Sequence, residues 1–277
     1  MFKGFDVKLD AAKFRQKVAK QGTELWDIFV RKGKASRKNS RDDIGAKIAS
    51  GKWVLSGCDI ESNWFPQLMN HVFISHSHQD EDLALALAGA LKYWMRLDAF
   101  VDSSVWGYYA DLQESIYQEV TSLLGEVYGA QRLELENSIV SHVHCMLTKS
   151  LIQMMDQCEC LIFLNTPSSI GIRDVRGMSQ ETYSPWIYTE VEVSRFLRTH
   201  EDPRRPKKRE FSESVEKVAM DEAIRDIISY PLNLDHLGKV DSDGVWKWIC
   251  AGSQAMSTES NSLRKPFVAL DKLYELT

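Results

Sequence analysis

Within the six positions 75–80 the chain places Ser75, His76, Ser77, His78 and Asp80, so two hydroxyls, two imidazoles and a carboxylate stand almost side by side. Groups of these types bind polar ligands and move protons, provided the backbone gathers them at one place. The flanking residues say where that place is. Val72-Phe-Ile-Ser75 is a short, apolar, partly β-branched run, entered from the polar Asn70-His71 and left at Ser75-His76, and it reads as a buried strand. From Leu83 to Leu91 the pattern becomes Leu/Ala-rich and helical, with Asp80, Glu81 and Asp82 in the first turn, where carboxylates favour the helix dipole. A strand that runs straight into an acid-started helix is the opening βα unit of a parallel sheet. Ligands of such sheets bind at the carboxyl ends of the strands, which puts Ser75, His76 and Ser77 at the edge of a site.

The elements needed to complete such a sheet follow in order. Ala99-Phe-Val-Asp102 reads as a second strand and Ser103 to Gly107 as the loop after it. A helical pattern runs from about Ala110 to Leu124, Gly125 to Arg132 breaks it, and Leu135 to Cys158 carries a longer stripe through Ile139, Val143, Met146, Leu147, Leu151 and Met154. Cys160 to Asn165 is a third strand, apolar enough to be buried on both faces. A Gly-, Ser- and Pro-rich loop leads to Pro185, a favourable first residue for the helix Trp186 to Leu197. A basic loop (His200 to Glu210), a short helix (Ser212 to Ala223), a possible fourth strand (Asp226 to Tyr230) and two C-terminal helices complete the reading. Before the first strand, Ala11 to Arg31 has helical spacing, Arg31 to Arg41 is a basic connector, and Ser40, Asp43 and Gly51 mark the ends of a second helix. Trp53, Trp64, Phe65 and Pro66 are expected to anchor this leading segment on the sheet domain.

The 277 residues suffice for one large domain, or for a medium domain with additions. A net charge of -5 gives no general reason to expect nucleic acid or an anionic membrane as partner. Five cysteines without scaffold spacing suit a reducing compartment. Met1 to Asp10 lacks an apolar signal core, and no apolar run approaches the ~20 residues that cross a bilayer. The expectation is a cytoplasmic protein.

With strand, helix, strand, loop, helix, strand and helix in place, the chain resembles the Toll/interleukin-1 receptor (TIR) domain family, and its bacterial members in particular. Residues 72–80 look like that family's opening strand and polar loop, and Phe100-Val-Asp102 like its second strand. Ser103 to Tyr109 stands at its variable BB loop and Leu161 to Pro167 looks like its third strand. Ser184-Pro-Trp-Ile-Tyr-Thr-Glu190 matches its Ser-x-Trp-x-x-x-Glu segment. The resemblance implies an α/β fold, a flavodoxin-like TIR domain with a central parallel sheet over 71–235. Residues 1–70 would be an accessory region and 236–277 a C-terminal helical extension.

The resemblance also implies an activity. Enzymatic TIR domains cleave NAD+ at the nicotinamide–ribose bond and release an ADP-ribose product, linear or cyclic, which in bacterial systems of the Thoeris kind signals in anti-phage defence. Glu190 carries over as the catalytic residue, because a carboxylate in a partly dry cleft stabilises the positive charge that builds on the ribose. Trp186, one turn earlier, would face the same way. His76 and Ser77 carry over as substrate-binding residues, with Ser75, Asp102, Ser103 and Trp106 as further candidates. NAD+ is then a substrate, with no cofactor and no metal; TIR–TIR self-association and a downstream effector that senses the product are the implied partners. For Glu190 the competing reading is a solvated helix face, shared with nearby Glu192.

Two other readings stand beside this one. His76-x-His78-x-Asp80 after a strand also resembles the start of the metallo-β-lactamase metal motif, in which two histidines bind one zinc and the aspartate a second. Glu81 stands where that motif has histidine, and His142 and His144 lie in a helical stretch, where positions two apart point away from each other. The remaining reading keeps the TIR fold as a non-catalytic assembly scaffold.

Overall fold

A computed structural model describes residues 3–21, 27–28, 57–106, 109–125, 128–171, 180–197 and 229–276. The strands are β1 (Lys3–Lys8), β2 (Val72–Ser75), β3 (Ala99–Phe100), β4 (Cys160–Leu164), β5 (Gln180–Thr182), β6 (Tyr230–Leu232) and β7 (Gly238–Asp241). The helices are α1 (Ala11–Ala19), α2 (Gly57–Trp64), α3 (Glu81–Met95), α4 (Asp102–Val105), α5 (Tyr109–Leu124), α6 (Ala130–Gln157), α7 (Pro185–Phe196), α8 (Ser242–Thr258) and α9 (Lys265–Tyr274). A single 3-10 turn, His78–Asp80, joins β2 to α3.

Five strands form one sheet in the order β3-β2-β4-β1-β7, and every pairing in it is parallel. Of its inner strands, β2 and β4 are buried at every residue and nearly all apolar, as strands covered on both faces are. Alternation sends Phe5, Val7, Val72, Ile74, Cys160, Ile162 and Leu164 into one core with α1, α3, α8 and α9. Phe73, Phe100 and Leu161 point to the other face, against α2, α5 and α6. Phe163 continues that face into a smaller cluster with Ile187 and Val191 of α7 and with Leu232, Leu234 and Leu237. Helices on both faces of a parallel sheet make a doubly wound α/β fold.

The expected first, second and third strands are β2, β3 and β4, adjacent and parallel with β2 between the other two. Trp64 and Phe65 are buried, as anchoring required. Two expectations need correction. The expectation is helical additions at both ends of the chain, yet residues 3–8 form an internal strand between β4 and β7, and residues 238–241 form one edge strand. In Lys3–Lys8 only Phe5 and Val7 are large apolar residues, too short an alternation to stand out. The second strand is also shorter than expected. Asp102 opens α4, its carboxylate accepting the Ser103 N–H at 2.7 Å, so the segment expected to be loop begins as a helical turn.

Trp53, the basic connector, Ser40, Asp43, Gly51, the basic loop at 200–210 and the helix at 212–223 lie outside the described residues. The possible fourth strand at 226–230 does so too, apart from its last two residues. Tyr230 opens β6, which pairs antiparallel with β5 in a separate two-stranded ribbon. Among the described residues no helix is long and apolar enough to cross a membrane.

Candidate functional site

The site grows from the point where the chain changes faces. From β2 the chain passes to α3 on one face of the sheet, and from β4 it passes to α7 on the other. Neighbouring strands whose connections leave to opposite faces part at their carboxyl ends, the usual ligand position in such sheets. Ser75 ends β2 and points to the α7 face, like Phe73 two residues before it. Across the switch point, the Thr166 hydroxyl donates to the Asp80 carboxylate at 2.5 Å, tying the turn after β2 to the turn after β4. Ser169 braces the latter turn by donating to the Leu164 carbonyl at 2.7 Å.

Helix α7 delivers Glu190 to this point. Ser184 caps the helix by accepting the Ile187 N–H at 3.3 Å, and Pro185 supplies its first turn. Its buried residues are Ile187, Glu190, Val191 and Ser194, spaced as one inward stripe. Glu190 thus occupies a core position: it is 3% exposed, and the Ser75 hydroxyl donates to its Oε2. The solvated-face reading is overturned for Glu190. It does hold for Glu192, which is partly exposed and pairs with Arg195 at 3.3 Å.

Burial pushes the Glu190 carboxyl well above its usual range, and the neighbouring Asp102 carboxylate raises it further. The Ser75 hydroxyl, bound to the charged form, opposes both. Both causes favour the neutral carboxyl over the carboxylate.

Beside the two carboxyl groups lies His76, with its side chain 3% exposed. Its Nδ1 is 3.7 Å from Asp102 Oδ1 and 3.4 Å from the Ile74 carbonyl oxygen. Its Nε2 is 3.4 Å from Ser103 Oγ. Strand ends β2 and β3 and helix α7 thus bring together Ser75, His76, Asp102, Ser103 and Glu190.

The other sequence candidates are placed differently. Ser77 is buried, and its hydroxyl caps the 3-10 turn by accepting the Gln79 N–H at 3.2 Å. Trp106 is a packing residue, edge-on to Phe65 and Phe100, with its Nε1–H donating to the Pro66 carbonyl at 3.3 Å. Trp186 is half-buried, with ring centroids 5.4 Å from His144 and 6.0 Å from Tyr109. Asp80 is engaged by Thr166, and among the described residues no group of three His, Cys, Asp or Glu is placed to hold a metal ion.

One residue of this region escaped the sequence reading, and another entered it only as half of a histidine pair. Asp6, on β1, is 4% exposed and accepts the Asn165 amide at 2.8 Å, facing Phe163 in the register that also sets Phe163 opposite Ser75. A single acid inside a weak strand gave no signal. His144 is buried against Trp186 and Tyr109, and burial lowers its pKa. The inward stripe of α6 through Ile139 and Val143 could have suggested it, since position 144 adjoins that stripe.

No protein-family model, curated protein or solved structure matches the chain. The fold and site define a doubly wound parallel α/β protein with a buried glutamate at its topological switch point.

Proposed function

We propose that the protein is a TIR-type NAD+ glycohydrolase or ADP-ribosyl cyclase, which breaks the nicotinamide–ribose bond and releases an ADP-ribose signal in anti-phage defence. The observation that carries this reading is Glu190, a buried carboxyl group brought against Ser75 at the carboxyl end of β2. The order β3-β2-β4 corresponds to the first three strands of a flavodoxin-like sheet, whose full order is 2-1-3-4-5. In this reading β1 stands in the fourth place, so a flavodoxin-like TIR core is completed by a strand from the start of the chain.

The chemistry follows from the burial. A glutamate that is protonated when the site is empty ionises when a cationic nicotinamide riboside approaches, because opposite charge favours the carboxylate. Out of water that carboxylate interacts strongly with charge developing on C1′ of the ribose as neutral nicotinamide departs. Ser75 holds the carboxyl in place, and Trp186, one turn before Glu190, is the substrate-contacting residue that the resemblance supplies. A nucleotide is bound without metal in this scheme.

The test is chromatography of NAD+ incubated with the full chain at high protein concentration, with and without lysate of phage-infected cells. Release of nicotinamide with ADP-ribose or its cyclic isomer is the expected result. Intact NAD+ under both conditions would refute the reading and favour a non-catalytic scaffold.

A further inference from the structure

Asp102, His76 and Ser103 form a chain of carboxylate, imidazole and hydroxyl beside Glu190, and the charge-stabilising role of Glu190 leaves that chain without a task. Its order is fixed by geometry. The Nδ1 of His76 faces two acceptors, Asp102 Oδ1 at 3.7 Å and the Ile74 carbonyl at 3.4 Å, an arrangement that favours the tautomer with its proton on Nδ1. The opposite nitrogen, Nε2, is then the basic one, and it faces Ser103 Oγ at 3.4 Å. The imidazole itself is 97% covered, whereas Ser103 is only partly buried, so the hydroxyl is the outward end of the chain. The backbone N–H of Ser103 donates to Asp102 at 2.7 Å, fixing the serine and the carboxylate relative to each other. Distances slightly beyond hydrogen-bond length are common in sites without substrate and shorten on binding.

We infer that Ser103, His76 and Asp102 are a proton relay that deprotonates the hydroxyl group capturing the ribosyl cation. The inference rests on the NAD+ reading above and adds the second half of the reaction. In the first half the C1′–N bond breaks and its electron pair leaves with neutral nicotinamide. In the second, an acceptor O–H, from water or from a ribose hydroxyl, forms the new C1′–O bond. Its proton passes to Ser103 Oγ as the Ser103 proton passes to His76 Nε2. The imidazolium, steadied by Asp102, later returns the proton to solvent. Overall, NAD+ and water give nicotinamide, ADP-ribose and one proton; in cyclisation the ribose hydroxyl supplies that proton. Ser103 touches the acceptor, and His76 and Asp102 act through it.

Acceptors without a proton to lose provide the discriminating probe. A pyridine attacks C1′ through its ring nitrogen and needs no base, whereas water and hydroxyls do. Ser103→Ala removes the hydroxyl but keeps the backbone N–H to Asp102; His76→Gln removes the basic nitrogen. Each full-length variant is incubated with NAD+ and acetylpyridine, and acetylpyridine exchange is compared with ADP-ribose formation, linear plus cyclic. The expected result is a ratio of ADP-ribose formation to acetylpyridine exchange reduced by about 100-fold, the low end for loss of a general base, whatever the substitution does to overall turnover. A parallel fall of both products in Ser103→Ala, or an unchanged ratio, overturns the relay, and Ser103→Ala decides alone if His76→Gln fails to fold. Absence of nicotinamide release from the unaltered protein would refute the NAD+ reading, and the relay with it. Release with an unchanged ratio refutes the relay only.

Discussion

Glu190 is a buried acid in the apolar stripe of a helix, and such a residue stays in place at a cost to stability. Its folded pKa lies well above the ordinary 4.5, so the native state keeps a proton that the unfolded chain gives up as pH rises past that value. Stability attributable to this group is full below about pH 4.5 and falls as pH climbs toward the folded pKa. Glu190→Gln removes this dependence while still accepting from Ser75. Its melting temperature should match the unaltered protein's in acid and exceed it increasingly from neutral pH upward, as thermal melts across pH would show. Under the proposed chemistry the same substitution should lower NAD+ turnover by at least ~100-fold, the scale of losing one preorganised electrostatic group. Glu192→Gln is the control. It breaks only the partly exposed pair with Arg195, so activity should persist and stability change by less than about 0.5 kcal/mol.

At the scale of elements, α7 and the strand ends are held from outside the site. The face opposite α7 is covered by α8, whose Trp248 is 1% exposed and donates its Nε1–H to the Ala269 carbonyl of α9 at 2.8 Å. Trp248→Phe keeps an aromatic ring but removes the indole's hydrogen bond to the Ala269 carbonyl and leaves a gap beside it. A loss of about 2 kcal/mol in urea unfolding is expected. A loss under about 0.5 kcal/mol would mean that water or a neighbour replaces the indole. On the other face, Trp64 and Phe65 pack at the end of α2 against the helices that carry the site. Ser75, Asp102 and Glu190 thus belong to elements clamped from both sides, as preorganised electrostatics require.

At the scale of the molecule, the sheet domain is not the stretch 71–235 that the family resemblance covers. Without residues 3–8 and 238–258, β4 loses a partner along one edge, and Phe5, Val7, Val240 and Trp248 leave the core they share with β2, β4 and α3. An unpaired hydrophobic strand edge invites aggregation. A fragment of residues 71–235 should therefore be insoluble or lack a cooperative melt, measured by circular dichroism with heating. A sharp transition for this fragment would show that the terminal strands are dispensable.

Local chemistry made a good part of this protein legible in the sequence alone. Val72–Ile74 and Cys160–Leu164 are apolar throughout, as doubly covered parallel strands need, and Pro185 after Ser184 marks the start of α7. The carboxyl end of β2 could be named as a site edge because an acid-started helix follows it directly. What the tertiary structure decided were relations between distant segments. Lys3–Lys8 is a strand because β4 and β7 supply partners on both sides, and its own residues specify that only weakly. Trp106 and Ser77 have the residue types of ligand contacts, and only the tertiary structure shows that Phe65, Phe100 and the Gln79 N–H are their neighbours. The same holds for the charge state of Glu190. The rise in its pKa comes from burial and from Asp102 at the start of α4, while the hydroxyl of Ser75, 115 positions away in the chain, opposes it. Desolvation and proximity depend on three-dimensional packing, so no window of sequence contains them.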